Sequence, residues 1–303
     1  MTVSTQPSIT EAPVIHPATR LGHVHYTVAN LDNQIAFYRD ILGFKLHWRE
    51  GNAAGMGAGK EDLLRLTQVD GTREVQGTTG LYHTAFLVPT RLELAQLLRS
   101  IAITRTPIQG MSDHGTHHAI YLPDAEGNGI ELAWDRPKEM WPKTLEEMIR
   151  NNRGLSPDTV FSVLTEDDAE WQGLDAGTIV GHVHLHVSSL KPTNHFYHEV
   201  LGFGLPFDMT KAPRQFADTA IFFSAGGYHH HIGTNIWQGE GAPPPPKDAT
   251  GLRYFTAVLP DSDELERVRA RLNEANVPAE QTENGLLIRD PAQNGLMLAV
   301  EGL

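Results

Sequence analysis

No cysteine occurs anywhere in the 303 residues. Disulfides, zinc–thiolate sites and a cysteine nucleophile are therefore excluded, and a reducing, cytoplasmic location is the expectation. Positive charge is also scarce. Lys and Arg number 24 against 37 Asp and Glu, for a formal net charge of −13 with His neutral. Such a surface repels phosphate backbones, so nucleic acid is not an expected partner. No apolar run is long enough to span a bilayer, so no membrane partner is expected either. The first twenty residues, MTVSTQPSITEAPVIHPATR, lack both a basic start and an apolar stretch. They read as a flexible tail (1–20), not as a signal peptide.

What remains is an ordinary globular composition, 40% hydrophobic and 20% charged, with length enough for two domains. Histidine stands out within it. GHVHLHV, from Gly181 to Val187, places three histidines on alternate residues, and GHVHYTV, from Gly22 to Val28, nearly repeats it. On a β-strand His182, His184 and His186 would share one face, and Val183, Leu185 and Val187 the other.

The likeness extends. LGHVHYTVANLDNQIAFYRDILGFKL, from Leu21, matches VGHVHLHVSSLKPTNHFYHEVLGFGL, from Val180. Both read as strand, helix and a second strand opening at LGF, with helical spacing carried by Ile35, Phe37, Tyr38 and Ile41 and by Phe196, Tyr197 and Val200. GLYHTAFLVPTRLELAQLLRS, from Gly80, likewise matches GLRYFTAVLPDSDELERVRAR, from Gly251. YLPDAEGNGIELAW and LIRDPAQNGLMLAV end these units with an NG turn and a short apolar strand. Four modules result, at about 21–76, 80–135, 180–238 and 251–301. GEGAPPPPKDATG must be a connector, and KTLEEMIRNN and EDDAEW, between the halves, suggest crossing helices.

With GHVxLxV, FYxxxLGF, GLYHxAF and DxxGNGIE, the chain resembles the vicinal oxygen chelate superfamily of glyoxalases, bleomycin-binding proteins and extradiol dioxygenases. The resemblance covers all but the tail and the central linker. It implies an α+β fold of four βαβββ modules in two vicinal-oxygen-chelate domains, 21–136 and 180–303, joined by a linker at 137–179. Cross-pairing of modules two and three is the other arrangement considered. A divalent metal would lie in a cup formed by paired modules. DHGTHHAIYLPDAEGNGIE, from Asp113, is most similar to the extradiol dioxygenase signature, departing from it at Ser112 and Ala125.

In that family two histidines and a carboxylate hold the ion and leave coordination positions open. The resemblance places metal ligands at His83, Glu131 and His182, and His230, His114 and Tyr121 as catalytic groups beside them. Module four offers Tyr254 and Met297 where module two has His83 and Glu131, and is a poor metal partner. His23 is the alternative to His182, reached if modules pair in sequence. Cross-pairing is favoured because GYHHHIGTNIW, in module three, supplies a histidine for acid–base work, whereas KEDLLRLTQV, in module one, has none. On a strand His229 and His231 would face away from His230 and replace it under a register shift of one. His25, His184 and His186 are expected to be structural or at most substrate contacts, and His117, His118, His195 and His198 structural or solvated. Trp48, Trp134 and Trp237 are pocket-lining or core residues.

The implied activity is O2-dependent ring cleavage of a small catechol-type aromatic diol at non-haem Fe(2+), with Mn(2+) equally suited to the ligands. A glyoxalase-like isomerase or lyase, for which two carboxylates would be needed, and a non-catalytic aromatic or drug-binding protein are the alternatives. A homo-oligomer is compatible with proteins of this kind.

Overall fold

A computed structural model describes residues 13–165, 171–208, 211–212 and 218–302. Module one comprises β1 (Arg20–Val28), α1 (Leu31–Asp40), β2 (Lys45–Glu50), β3 (Ala53–Gly57) and β4 (Asp62–Gln68). Module two comprises β5 (Gly80–Leu87), α2 (Arg91–Thr104), β6 (Gly110–Asp113), β7 (His117–Pro123) and β8 (Gly129–Asp135). The linker contributes α3 (Leu145–Asn151), the two-residue β9 (Arg153–Gly154) and α4 (Pro157–Phe161). Module three contains β10 (Ile179–His186), α5 (Leu190–Asn194), β11 (Ala220–Phe223) and β12 (Ile232–Asn235). Module four contains β13 (Gly251–Leu259), α6 (Ser262–Glu274), β14 (Ala279–Thr282), β15 (Gly285–Arg289) and β16 (Gly295–Val300).

Local chemistry sets these elements. Asn30, Thr90 and Asp261 each accept a hydrogen bond from the backbone N–H three residues on, capping α1, α2 and α6. α2 then stops at Arg105, which adopts the left-handed conformation at φ 56°. α5 departs from its α-helical counterpart in module one: it continues as a π-helical turn over His195–Val200 that still buries Phe196, Tyr197 and Val200.

Two eight-stranded sheets form. One has the order β14-β15-β16-β13-β1-β4-β3-β2 and the other β11-β12-β10-β5-β8-β7-β6-β9. Each thus combines strands from both halves of the sequence: module four joins module one, and module three joins module two. The sheets therefore do not follow the contiguous halves 21–136 and 180–303. The junctions are antiparallel, β1 with β13 and β10 with β5.

Strand alternation separates core from cup. Val24, Tyr26 and Val28 on β1, Val183 and Leu185 on β10, and Val187 just past its end are fully buried in the hydrophobic core. Tyr26 Oη and Thr84 Oγ1 meet at 2.6 Å and tie one sheet to the other inside that core. Phe86 packs edge-on against Phe44 and Tyr38, with ring centroids 5.0 and 6.4 Å away, and burying each such side chain contributes about 1.5–3 kcal/mol.

Two expectations need correction, and a third lies outside the described residues. Residues 13–20 are not a tail, because Ile15 is buried, its N–H donates to Gly202 O at 2.8 Å, and β1 begins at Arg20. The strand expected at LGF in module three reduces to a single bridge, Gly204 to Ser224. Asp and Glu of EDDAEW fall in 166–170, outside the described residues; Trp171 packs against the core and donates to Glu93 Oε1 at 3.1 Å.

Candidate metal centre and its cavity

Register across the second sheet assembles the site. Along β10, His182 lies opposite Ala85 and His184 opposite His83. Glu131 pairs with Ala85 on one side and Tyr121 on the other. One row across the strands thus reads Tyr121, Glu131, Ala85, His182. The ladder skips Tyr82 between the pairs His184–His83 and Leu185–Leu81, a β-bulge that turns both Tyr82 and His83 toward the cup. Gly129 makes the bulge feasible, since a Cβ there would sit 1.9 Å from Tyr82 O.

The donor atoms converge. His83 Nε2 lies 3.2 Å from Glu131 Oε2, His182 Nε2 3.3 Å from the same oxygen, and the two imidazole nitrogens 3.3 Å from each other. All three side chains are buried. Two imidazole nitrogens and a carboxylate oxygen aimed at one point fit a divalent ion with bonds of about 2.1 Å. Burial works against an ionised Glu131, but His182 and His117 hold its carboxyl well below the usual range. Burial also lowers the pKa of His182, favouring the neutral imidazole a metal requires.

The triad opens onto a cavity of about 510 Å3. Tyr82, Phe222, Trp237 and Phe207 supply aromatic walls, and Met148 and Ile149 of α3 close one side. Among the described lining residues there is neither Lys nor Arg. His114 and Tyr121 line it together, with His114 Nε2 2.7 Å from Tyr121 Oη. Burial, reinforced by His117, drives His114 down to about 3, and burial raises Tyr121 well above its ordinary value. The pair therefore enters the cavity as neutral imidazole and neutral phenol.

Histidines 229–231 do not form a strand. They lie in the bend between β11 and β12, so strand alternation does not apply to them. His230 lines the cavity with its ring 4.1 Å from that of His182. His229 is buried on the same side, stacked on His117 with centroids 4.8 Å apart. Only His231 turns away, its Nδ1 accepting from Ala225 N at 3.1 Å.

Other histidines sort by position. His184 lines the cavity, and His186 Nδ1 meets Asn235 Oδ1 at 2.8 Å. His117, expected to be structural or solvated, is buried with Nε2 3.0 Å from Glu131 Oε1, where it steadies the carboxylate. Its sequence neighbour His118 packs on the opposite face near Arg136 and Asp113. His195 is exposed beside Glu199, and His198 Nδ1 contacts Phe203 O at 2.7 Å. Of the tryptophans, Trp237 lines the cavity, Trp134 packs on His118, and Trp48 belongs to the other sheet. No sequence periodicity distinguishes His117 from His118; their opposite faces emerge once β7 is paired with β8.

His23 lies in the other sheet, away from Glu131. The cup there holds His23, His25, Tyr254 and Arg65. Register gives the correspondence between last strands. Glu131 sits beside Ala85, Gly233 beside His184, Arg65 beside His25 and Met297 beside Thr256. Only one of these four positions carries a carboxylate.

Curled sheets built from paired βαβββ units, with a buried His–His–Glu cluster in one cup, define a class of metal-cup proteins. The profile of the Glyoxalase/Bleomycin resistance protein/Dioxygenase superfamily matches residues 20–132 and 179–298, and the chain belongs to that family. It is 37% identical over 292 residues to catechol-2,3-dioxygenase of Bacillus subtilis (strain 168), covering 94% of this chain and 99% of the relative. Among solved structures, a putative dioxygenase from Bacillus subtilis superposes with a TM-score of 0.62 at 12% identity, covering 96% of this chain and 87% of that one. Glyoxalase I from Zea mays superposes with a TM-score of 0.58 at 17% identity, covering 93% and 92%. These two likenesses show the shared fold. No helix among the described residues is long and apolar enough to cross a membrane.

Proposed function

We propose that the protein is an extradiol dioxygenase that cleaves the ring of a catechol-type diol beside a hydroxyl-bearing carbon and places both atoms of O2 in the product. His83, Glu131 and His182 are the ligands assigned to Fe(2+), with Mn(2+) the alternative ion. The observation that carries this reading is the convergence of two imidazoles and one carboxylate, 3.2–3.3 Å apart, at the floor of an aromatic-walled cavity. Support also comes from the 37% identical relative named catechol-2,3-dioxygenase.

When bound, the ion supplies a chelation point for the two vicinal oxygens and for O2, and an electronic link between them. The protein's residues supply placement and protons. Tyr82, Phe222 and Trp237 enclose the ring and exclude water from it. Tyr121 and His114, neutral and hydrogen-bonded to each other, are placed to hold a diol oxygen. His230 is the acid–base residue: desolvation among the neighbouring imidazoles lowers its pKa well below the ordinary value, so it arrives neutral and able to accept a proton.

A glyoxalase-like reaction with two carboxylate ligands is less well served, since Gly233 occupies the position that would furnish the second. The test is anaerobic loading with Fe(2+), followed by catechol and air. A yellow ring-fission product with one O2 consumed per diol is expected. Iron-loaded protein that binds catechols and leaves them intact would favour the non-catalytic binding reading.

A further inference from the structure

Asp135, the last residue of β8, lies outside the cavity lining, whereas His229, in the β11–β12 bend, lines the cavity beside His230, and the two are linked to His230. His229 Nε2 lies 3.1 Å from Asp135 Oδ1, and His229 Nδ1 lies 2.8 Å from His230 Nδ1. We propose that Asp135 and His229 are positioning residues that set the tautomer of His230, leaving its Nε2 as a bare lone pair on the cavity side. The inference rests on the acid–base role given above to His230.

Hydrogen-bond roles admit one assignment along this chain. An ionised carboxylate only accepts, so His229 Nε2–H must donate to Asp135. A neutral imidazole carries one proton, so His229 Nδ1 is then an acceptor and His230 Nδ1–H must be the donor. His230, neutral in turn, keeps no proton on Nε2. The charge states agree with this order. Burial opposes ionisation of Asp135, but the hydrogen bond from His229 and the surrounding imidazoles hold its carboxyl below the usual range. Burial lowers His229 to about 4. The stack with His117 and the edge of Trp141, 5.1 Å from His229, hold the His229 ring in plane.

The same neighbourhood has a competing use. His117, Asp135 and His229 bring potential ligand atoms within 4.8 Å of one another. However, His117 Nδ1 meets Thr116 Oγ1 at 2.8 Å and its Nε2 lies 3.0 Å from Glu131 Oε1, which directs that ring toward the carboxylate of the triad.

The arrangement follows the logic of a carboxylate that orients a catalytic imidazole, where exchange for an amide inverts the tautomer while preserving shape. An Asn at 135 can donate to His229 Nε2, reversing every bond in the chain and moving the His230 proton to Nε2. The experiment uses the full-length protein labelled with 15N-histidine. Long-range proton–nitrogen spectra, with His230→Gln supplying the assignment, should show a protonated Nδ1 and bare Nε2 on His230. Asp135→Asn should exchange them, with or without metal. In the iron-loaded protein it should lower kcat by about tenfold or more, with KM for catechol and bound iron changed by less than about twofold. Asp135→Glu should recover the wild-type tautomer and much of the lost kcat.

A proton on Nε2 of His230 in the wild type overturns the proposal, as does an unchanged tautomer in Asp135→Asn. So does a second equivalent of metal that Asp135→Ala removes. Full ring-cleavage activity in His230→Gln would instead remove the acid–base reading itself. Inactive His230→Gln beside fully active Asp135→Asn would remove this proposal alone.

Discussion

The two cups of this molecule begin from nearly the same strand, GHVHYTV in one and GHVHLHV in the other, and end as different chemical environments. In the cup of modules two and three, His182 faces His83 and Glu131, with glycine at the fourth position, Gly233. In that of modules one and four, His23 faces Tyr254, with Met297 in place of the carboxylate and Arg65 in place of the glycine. Arg65 Nε donates to Asp62 Oδ2 at 2.9 Å, and Asp62 also takes Trp48 Nε1 at 3.0 Å and meets His47 Nδ1 at 2.9 Å. Burial and the Arg65 charge push His23 down to about 3. A guanidinium inside the cup repels a dication, so the second cup is the less favourable place for a metal ion. A strand histidine is therefore a ligand only when its register partners make it one.

The sharpest contrast between the cups is metal retention. Glu131→Ala and His182→Ala should each lose tightly bound metal, with affinity reduced by two orders of magnitude or more, as exceeds the about 10–100-fold typical of supporting residues. His23→Ala should retain the wild-type content. Elemental analysis after dialysis reads all three, and loss of metal in His23→Ala would reverse the assignment of the cups.

A second experiment asks whether ligand identity alone separates them. Tyr254→His with Met297→Glu and Arg65→Gly should bring one additional equivalent of metal, measured by calorimetric titration. Restoring Arg65 in that background should weaken the added site by roughly tenfold, the scale of a like charge a few ångströms away at a partly exposed position. Equal binding with and without Arg65 would show that charge is not what keeps the cup closed to metal.

The contrast with no bearing on metal concerns the repeated turns that precede the last strands. Asp124 and Asp290 occupy equivalent places, each accepting from the Asn four residues on and from a tyrosine, Tyr38 or Tyr197. Burial outweighs these bonds at both places, raising Asp124 and pushing Asp290 up to about 6. A carboxyl whose folded pKa is raised stabilises most below its ordinary value, and that contribution is lost as pH rises through about 6. Between pH 4 and 7 this amounts to on the order of 2–3 kcal/mol. Asp290→Asn should flatten the denaturation midpoint over that range. An unchanged slope would mean that Asp290 does not titrate there.

Much of this was legible in the sequence because repeats expose equivalences. Aligning modules two and four marks His83 against Tyr254 and Glu131 against Met297 with no structure required. His229 and His117 were not legible in the same way. Three consecutive histidines carry no period, so a strand and a bend predict different faces, and only the turn at Gly226–Gly227 brings His229 and His230 inward together. His117 and His118 are adjacent, and their opposite fates follow from the pairing of β7 with β8. Arg65 and Gly233 gain meaning only from strand register.

The sequence by itself determined the module count and the alternation of core and cup residues along each first strand, which follow from local periodicity and internal likeness. The family resemblance added His83 and Glu131 as candidate donors and left His182 and His23 as rivals for the third place. Tertiary structure alone decided which modules share a sheet, which way the histidine bend faces, and that one cup carries the donors while the other holds Arg65. These depend on hydrogen-bond register between segments about 100 residues apart or more, such as His182 and His83, separated by 99 positions. Periodicity within a segment constrains its own faces, but it leaves open which other segment those faces will meet.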